Sequence, residues 1–474
     1  MHDILRIILY AFYIYIILST ISVILLENRN PHKSISWLVV LIFIPFVGLF
    51  LYLIFGQDYR KRKIISQKSI QRINMRPCAA IDLKELDDSG IDVDFLKLIY
   101  MLKANSEADA YTHNKIDVFA VGENIFDSIF EAIRNAKNHI HIEFFIFEDD
   151  KISNELRKLL IQKSKEGVRV RMIYDYIGSY KLSKNYLRSL RTAGVHAKPF
   201  LPLRLRVRRS KINYRNHRKL IVIDGVVGFT GGINIADRYL YGSSLGKWRD
   251  TVVRIEGAGV HGIQKLFLID WFFVERKLIT DEKYFPTPIK FSKNIIQTVS
   301  SGPDTDWQAI MQGICNAIMA ANHYVYIHTP YFMPNELVNG CIQMAALSGT
   351  EIRLMIPEKS DSRLSDLSAS SYLGDVLEAG VRVFKYQAGM MHSKAIVIDD
   401  FVSIVGSSNI DERSFTLHFE VNAFIYDEKT ALHLKRLFID DMVHCKELTL
   451  EEWNNRQRRQ KMKESFARLF SPLM

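Results

Sequence analysis

Two long apolar runs dominate the first 60 residues: Ile4 to Leu26, interrupted only by Arg6 and small hydroxyls, and Trp37 to Phe55, which holds no charge. A hydrocarbon core of ~30 Å needs about 20 helical residues at ~1.5 Å each, so each run is long enough to cross a bilayer. Pro45 and Gly48 punctuate the second run, and membrane helices tolerate both. The first run leads into Glu27-Asn28-Arg29 rather than a small-x-small cleavage site, so it is expected to be retained. Arg60-Lys61-Arg62-Lys63 follows the second run, whereas Glu27 to Ser36 carries only Arg29 and Lys33 as permanent cations. The positive-inside rule then puts the short connection outside and the main body in the cytoplasm. Residues 1–57 are predicted to form a transmembrane helical hairpin, with a connector over 58–108 that includes a short helical pattern near Asp94 to Leu102.

Beyond about residue 110 the chain repeats its own plan once. Asn138-His139-Ile140-His141-Ile142 matches Asn322-His323-Tyr324-Val325-Tyr326, Gly167-Val168-Arg169 matches Gly349-Thr350-Glu351, and Ala193-Gly194-Val195 recurs as Ala379-Gly380-Val381. Between these β-branched and aromatic runs lie segments of helical period, such as Asn154 to Lys165 and Asn335 to Leu347. Strands separated by helices need crossover connections, which predicts an α/β fold of two tandem domains, over 109–290 and 291–474, with mixed, mostly parallel sheets side by side. Pro286, Pro288, Ser300, Gly302 and Pro303 place the linker between them around Asp281 to Pro303.

Composition narrows the class of function. Hydrophobic residues are 48% of the chain and charged ones 24%, which excludes a disordered or collagen-like protein. The four cysteines are far apart and none forms C-x-x-C, so neither a disulfide framework nor a cysteine-rich zinc site is expected. A net charge of +11 favours polyanionic partners, and the apolar runs select an acidic lipid surface over nucleic acid.

The chemistry lies in a motif present twice. His217-Arg218-Lys219, an aliphatic run and Asp224-Gly225 precede Gly231-Gly232-Ile233-Asn234; His392-Ser393-Lys394, a like run and Asp399 precede Gly406-Ser407-Ser408-Asn409. Asp stands seven and Asn seventeen residues after His in both copies. Alternate strand residues share a face, which brings His and Lys into one pocket. Asp224-Gly225 suits a tight turn that returns the chain and delivers Gly232 and Asn234 beside them. Lysine charge, amide donors and a neutral histidine that attacks phosphorus or moves a proton together suit a phosphate.

These residues resemble the phospholipase D superfamily with its duplicated HKD motif, and within it the bacterial cardiolipin synthases. The resemblance covers nearly the whole chain, including Glu27-Asn28-Arg29-Asn30-Pro31, Phe55-Gly56, Trp248-Arg249-Asp250, Thr329-Pro330-Tyr331-Phe332-Met333-Pro334 and Arg468-Leu469-Phe470-Ser471-Pro472-Leu473. It implies two phospholipase D-like domains sharing one active site, with His217, Lys219, Asp224, His392, Lys394 and Asp399 as its catalytic motif residues. Asp224 and Asp399 are expected in a structural or electrostatic part rather than an acid-base one. His217 would attack phosphatidylglycerol to form a phosphatidyl-histidine, and His392 would protonate the departing glycerol and then activate a second phosphatidylglycerol. Asn234, Asn409, Gly232, Ser407, Asp250 and Glu420 are expected around the substrate, with Asp250 and Glu420 orienting the histidines. The resemblance implies a multi-pass protein of the bacterial inner or plasma membrane that needs no cofactor and no metal. Hydrolysis, transfer to another alcohol, and a non-catalytic lipid-binding scaffold are the alternatives; a phosphodiesterase acting on nucleic acid fits the apolar runs poorly.

Three further features bear on lipid contact. The first half carries an insertion before its motif, in which Arg204, Arg206, Arg208, Arg209, Lys211 and Arg215 alternate with Leu203, Leu205, Val207 and Ile212; it reads as an anionic-lipid contact or a solvated strand. Leu450 to Leu469 reads as a basic amphipathic helix, packed on the second domain or attached to the surface. His418, His444, His139 and His141 are expected as strand or core residues rather than metal ligands, because no carboxylate spacing completes a site.

Overall fold

The computed structural model describes residues 2–26, 31–52, 80–81, 86, 90–202 and 213–471. The basic insertion Arg204 to Ile212, the Arg60 to Lys63 run and most of the expected connector lie outside the described residues. So do Glu27 to Asn30, Phe55, Gly56, Pro472 and Leu473.

In the amino-terminal unit, α1 (His2–Leu26) is about 37 Å long at ~1.5 Å per residue, and among the described residues it alone is long and apolar enough to cross a membrane. Among the described residues the second apolar run is broken at Ile44. It divides into α2 (Pro31–Phe43) and α3 (Pro45–Leu51), of about 20 and 10 Å. Pro45 cannot continue the helical hydrogen-bond ladder and turns the residue before it away from helical geometry; Ile44 sits at φ −134°, ψ 65°. The Trp37 and Tyr52 rings meet edge to face at 5.4 Å, a separation that ~1.5 Å per residue in a straight helix would make roughly 22 Å, so α3 folds back beside α2. A Cβ at Gly48 would lie 2.8 Å from the Val40 carbonyl oxygen, so only glycine fits that approach. Ile24, Leu41 and Tyr52 form the small core of this unit.

The two repeated halves form one compact body. The first half contributes β1 (Ala110–Phe119), β2 (His139–Phe144), β3 (Arg169–Asp175), β4 (His196–Phe200), β5 (Arg215–Asn216), β6 (Leu220–Ile223), β7 (Val227–Gly231), β8 (Lys247–Arg249) and β9 (Val252–Glu256). The second contributes β10 (Ser292–Ser301), β11 (Tyr324–His328), β12 (Phe332–Met333), β13 (Glu351–Pro357), β14 (Arg382–Tyr386), β15 (Gly389–Met391), β16 (Ala395–Ile398), β17 (Val402–Gly406), β18 (Ile410–Asp411), β19 (His418–Tyr426) and β20 (Cys445–Leu448). Strand order is β4-β3-β2-β6-β7-β9-β1 in the first half and β14-β13-β11-β16-β17-β19-β10 in the second, the same plan twice. Helical crossovers make β2-β3-β4 and β11-β13-β14 parallel, while the motif hairpins β6-β7 and β16-β17 and the strands nearest the junction pair antiparallel.

The expected pair of separate sheets is one continuous sheet, because β1 pairs antiparallel with its counterpart β10. β10 lies inside the segment expected as linker. Its Ile295, Ile296 and Val299 are buried, and the prolines and glycine flank the strand instead of interrupting it. Equivalent glycines end equivalent helices: Gly167 and Gly349 at φ +90° and +99°, and Gly194 and Gly380 at +91° and +94°.

The carboxy-terminal helices Leu450–Asn454 and Arg458–Arg468 pack on the helix Arg363–Glu378. Trp453 lies against Gly374 and donates to the Ser370 carbonyl at 3.3 Å; Glu464 and Ala467 are buried, while Met462, Phe466 and Leu469 are exposed. A Cβ at Gly374 would overlap the Trp453 indole. Gly374→Ala is therefore expected to destabilise the body by about 1–3 kcal/mol, as overpacking does, measured by urea unfolding followed through tryptophan fluorescence.

Candidate active site

Each motif histidine sits just beyond a short strand that pairs with the opposite half. β5 runs parallel to the start of β19, and the His217 N–H donates to the Phe419 carbonyl at 2.9 Å; β15 runs parallel to β8, and the His392 N–H donates to the Arg249 carbonyl at 2.8 Å. These pairings exchange the carboxylates. His217 Nδ1 lies 2.9 and 3.1 Å from the two oxygens of Glu420, and His392 Nδ1 lies 2.6 Å from Asp250 Oδ2. Each histidine thus donates from Nδ1 to an acid of the other half, which leaves Nε2 with the lone pair.

The residues after each motif support these acids. A Cβ at Gly232 would overlap the Asp250 carboxylate, so glycine is required for that approach. At the equivalent position Ser407 donates its hydroxyl to Glu420. Gly232 and Ser407, expected around the substrate, therefore serve the carboxylates that hold the histidines, Gly232 by leaving room for Asp250 and Ser407 by donating to Glu420.

Lys219 Nζ donates to the His217 carbonyl at 2.7 Å, and Lys394 Nζ lies 3.1 and 3.3 Å from the two ring nitrogens of His392. All four groups are buried. Burial pushes Lys219 down to about 7 and Lys394 down to about 8, each partly offset by Glu420 and Asp250. Burial, reinforced by the lysine cations, holds His217 well below the ordinary histidine range and His392 at about 4. Both imidazoles are neutral at pH 7, in a site that pairs two lysines with two carboxylates.

The remaining predicted residues divide. Asn234 accepts from the Ile146 N–H at 3.1 Å and donates to the Tyr239 hydroxyl at 2.7 Å, and the Tyr239 ring stands 5.4 Å from that of His392. Asn409 is buried, and its Oδ1 has no hydrogen-bond partner among the described residues. Asp224 and Asp399 are not at the reacting centre. Each sits at the far end of its motif strand in a left-handed turn, at φ +53° and +49°. Asp224 accepts from the backbone N–H groups of Lys137, Asn138 and His139 at 2.7–2.8 Å, and Asp399 from those of Asn322, His323 and Tyr324. Three donors each make them clamps between a motif hairpin and its neighbouring strand. Arg215, read as part of a lipid-facing stripe, is instead buried and paired with Asp175 at 3.5 Å.

His139 and His141 are core residues as expected, sharing Gln264 at 3.1 and 3.2 Å. Sequence reasoning missed the rings that wall the histidines: Phe145 at 4.9 Å from His217 and Trp248 at 5.1 Å from His392. It also separated His418 from any carboxylate, although His418-Phe419-Glu420 places both on one face of β19; His418 Nδ1 lies 3.7 Å from Glu420 Oε1.

The chain matches the family described as cardiolipin synthase, phospholipase D-like domain, over residues 129–271 and 314–442, one segment in each half. Residues 11–57 match the phospholipase D-nuclease amino-terminal family. It is 39% identical to the cardiolipin synthase of Oceanobacillus iheyensis over 462 residues, 96% of each chain, and 39% identical to the major cardiolipin synthase of Bacillus subtilis over 477 residues, 99% of each. Among solved structures, the phosphatidylserine synthase of Haemophilus influenzae superposes with a TM-score of 0.60 at 14% identity, over 86% of this chain and all of that one, which shows a shared fold. With the motif, the exchanged carboxylates and relatives along almost its full length, the chain belongs to the cardiolipin synthase family of phospholipase D-like proteins.

Proposed function

We propose that this protein is a bacterial membrane phosphatidyltransferase that makes cardiolipin, moving a phosphatidyl group from one phosphatidylglycerol to a second and releasing glycerol. The observation that carries the reading is the crossed pair of histidine–carboxylate contacts, with two lysines beside them, in a chain of this family. His217 Nε2 attacks phosphorus as the bond from phosphorus to the glycerol oxygen breaks, and His392 delivers a proton to that oxygen. Glu420 offsets the positive charge that His217 acquires. The phosphodiester anion beside Lys219 and Lys394 favours protonated His392, which takes up from solvent, as lipid binds, the proton to be transferred. The lysines, with Asn234 and Asn409, meet the non-bridging oxygens, where charge grows in the transition state. A second phosphatidylglycerol then gives its hydroxyl proton to His392 and attacks the phosphatidyl-histidine, forming cardiolipin and restoring His217.

The body faces the cytoplasm on this reading, as the Arg60 to Lys63 cluster predicts from sequence. α1 crosses the bilayer, and the α2–α3 pair, too short and too bent at Pro45 to cross, enters and returns.

Purified protein in detergent micelles with phosphatidylglycerol alone is expected to release cardiolipin and glycerol in equal amounts, and His217→Ala or His392→Ala each to lower the rate at least ~10³-fold. Phosphatidic acid in place of cardiolipin would make the protein a hydrolase.

The pH profile of kcat/KM should show the lowered pKa values. The nucleophile stays unprotonated well below 6.5, so activity persists on the acid side. Protonated His392 grows scarce in the free enzyme above about 4, so kcat/KM declines with rising pH, and the lysines, losing their charge through about 7 and about 8, steepen the fall across that interval, far below the ordinary lysine value of 10.5. A plateau extending to pH 10 would contradict the assignment of these lysines to phosphate binding.

A reporter fused to the amino terminus is expected on the outer face of the membrane. Location on the cytoplasmic face would mean that the second run crosses after all.

A further inference from the structure

His418 is a half-buried imidazole that the transfer reaction does not use. Both its ring nitrogens lack hydrogen-bond partners among the described residues, although such groups are almost always satisfied when buried. Its surroundings are specific. His418 Nδ1 lies 3.7 Å from Glu420 Oε1, which is itself 2.9 Å from His217 Nδ1, and the two imidazole rings are 5.5 Å apart. One donor atom from each of His217, His418 and Glu420 falls within 4.8 Å of the others.

Two imidazoles and one carboxylate are a ligand set for a borderline transition-metal dication, and zinc takes such sets in tetrahedral geometry with bonds of about 2.0–2.2 Å. Donor atoms around such an ion stand roughly 3.4 Å apart by that geometry, so side-chain adjustments on the order of 1 Å bring this trio into position. The carboxylate is fully buried and fixed by the Ser407 hydroxyl, as second-shell partners fix metal-ligating carboxylates. The ligands come from β19 and from the end of β5, two strands already paired with each other. Lys219, Lys394 and Arg413 oppose a further cation here, whereas Glu420 and Asp250 favour it.

We propose that His217, His418 and Glu420 form an inhibitory site for a transition-metal dication of the zinc class. The consequence for chemistry follows from the proton on His217. A metal on Nδ1 takes the place of the hydrogen now shared with Glu420; that single N–H hydrogen moves to Nε2 as the ring changes tautomer, and the lone pair needed to attack phosphorus is gone. A metal on Nε2 occupies that lone pair directly. Either way the nucleophile is silenced reversibly, with no covalent change. The effect on turnover rests on the reading of His217 as nucleophile; the metal site itself does not.

The full-length protein in phosphatidylglycerol-containing micelles, stripped of metal, provides the test. Added Co²⁺ should bind one-to-one with the visible absorption of a tetrahedral ion, Zn²⁺ should displace it and stop cardiolipin formation, and a chelator should restore activity. His418→Asn, outside the transfer machinery, is expected to keep metal-free turnover, to lose the Co²⁺ band and to need at least about tenfold more Zn²⁺ for half-inhibition. His418→Gln provides the same comparison if the asparagine variant melts at a lower temperature. Unchanged zinc sensitivity in a folded His418 variant, or no saturable Co²⁺ band in the parent protein, would overturn the site. A Co²⁺ band lost in the variant, from a parent protein that makes no cardiolipin, would uphold the site and remove the synthase reading instead.

Discussion

Everything at the centre of this protein depends on the exchange of carboxylates between halves. His217 is oriented by Glu420 and His392 by Asp250, so neither motif histidine takes its acid from its own half. A buried imidazole without a partner would be free to turn and to choose either tautomer; an acid on Nδ1 settles both. The exchange needs the halves in register to within a hydrogen bond, and two short parallel pairings, β5 with β19 and β15 with β8, provide it. The continuous sheet through β1 and β10 keeps those pairings aligned.

The same arrangement separates the roles of the motif letters. The proposed reaction draws on histidine and lysine, whereas Asp224 and Asp399 clamp the turn of each motif hairpin to the start of the neighbouring strand through three backbone donors apiece. Seven residues separate each aspartate from its histidine because the motif strand between them must be crossed. The fixed spacing therefore records a structural span as much as a chemical requirement.

Much of this was legible in the residues. The repeat, the α/β alternation, the motif hairpin and its turn follow from period and turn chemistry, and the matching glycines of the repeat occupy equivalent left-handed positions. What escaped depends on contacts between residues distant in sequence. Nothing local tells Glu420 that its partner is His217, 203 positions away, or that Ser292 to Ser301 is the strand that fuses two sheets. Two misses were local, however. Pro45 can break a helix as readily as it can be tolerated, and the Trp37–Tyr52 contact shows that it does. The His418-x-Glu420 spacing carries the same two-residue logic that was applied to His217 and Lys219.

The lowered lysines have a consequence for where the protein works. At about 7 and about 8, their charge at neutral pH is incomplete, and on the proposed reading a phosphodiester bound beside them draws protons from solution to complete it. Occupancy by lipid and uptake of protons are thus linked. An anionic leaflet at about −30 mV concentrates protons at its surface roughly threefold over bulk water. A bilayer rich in acidic headgroups shifts the lysines toward the charged form before any lipid has entered, and in that sense the membrane conditions the catalyst that remodels it.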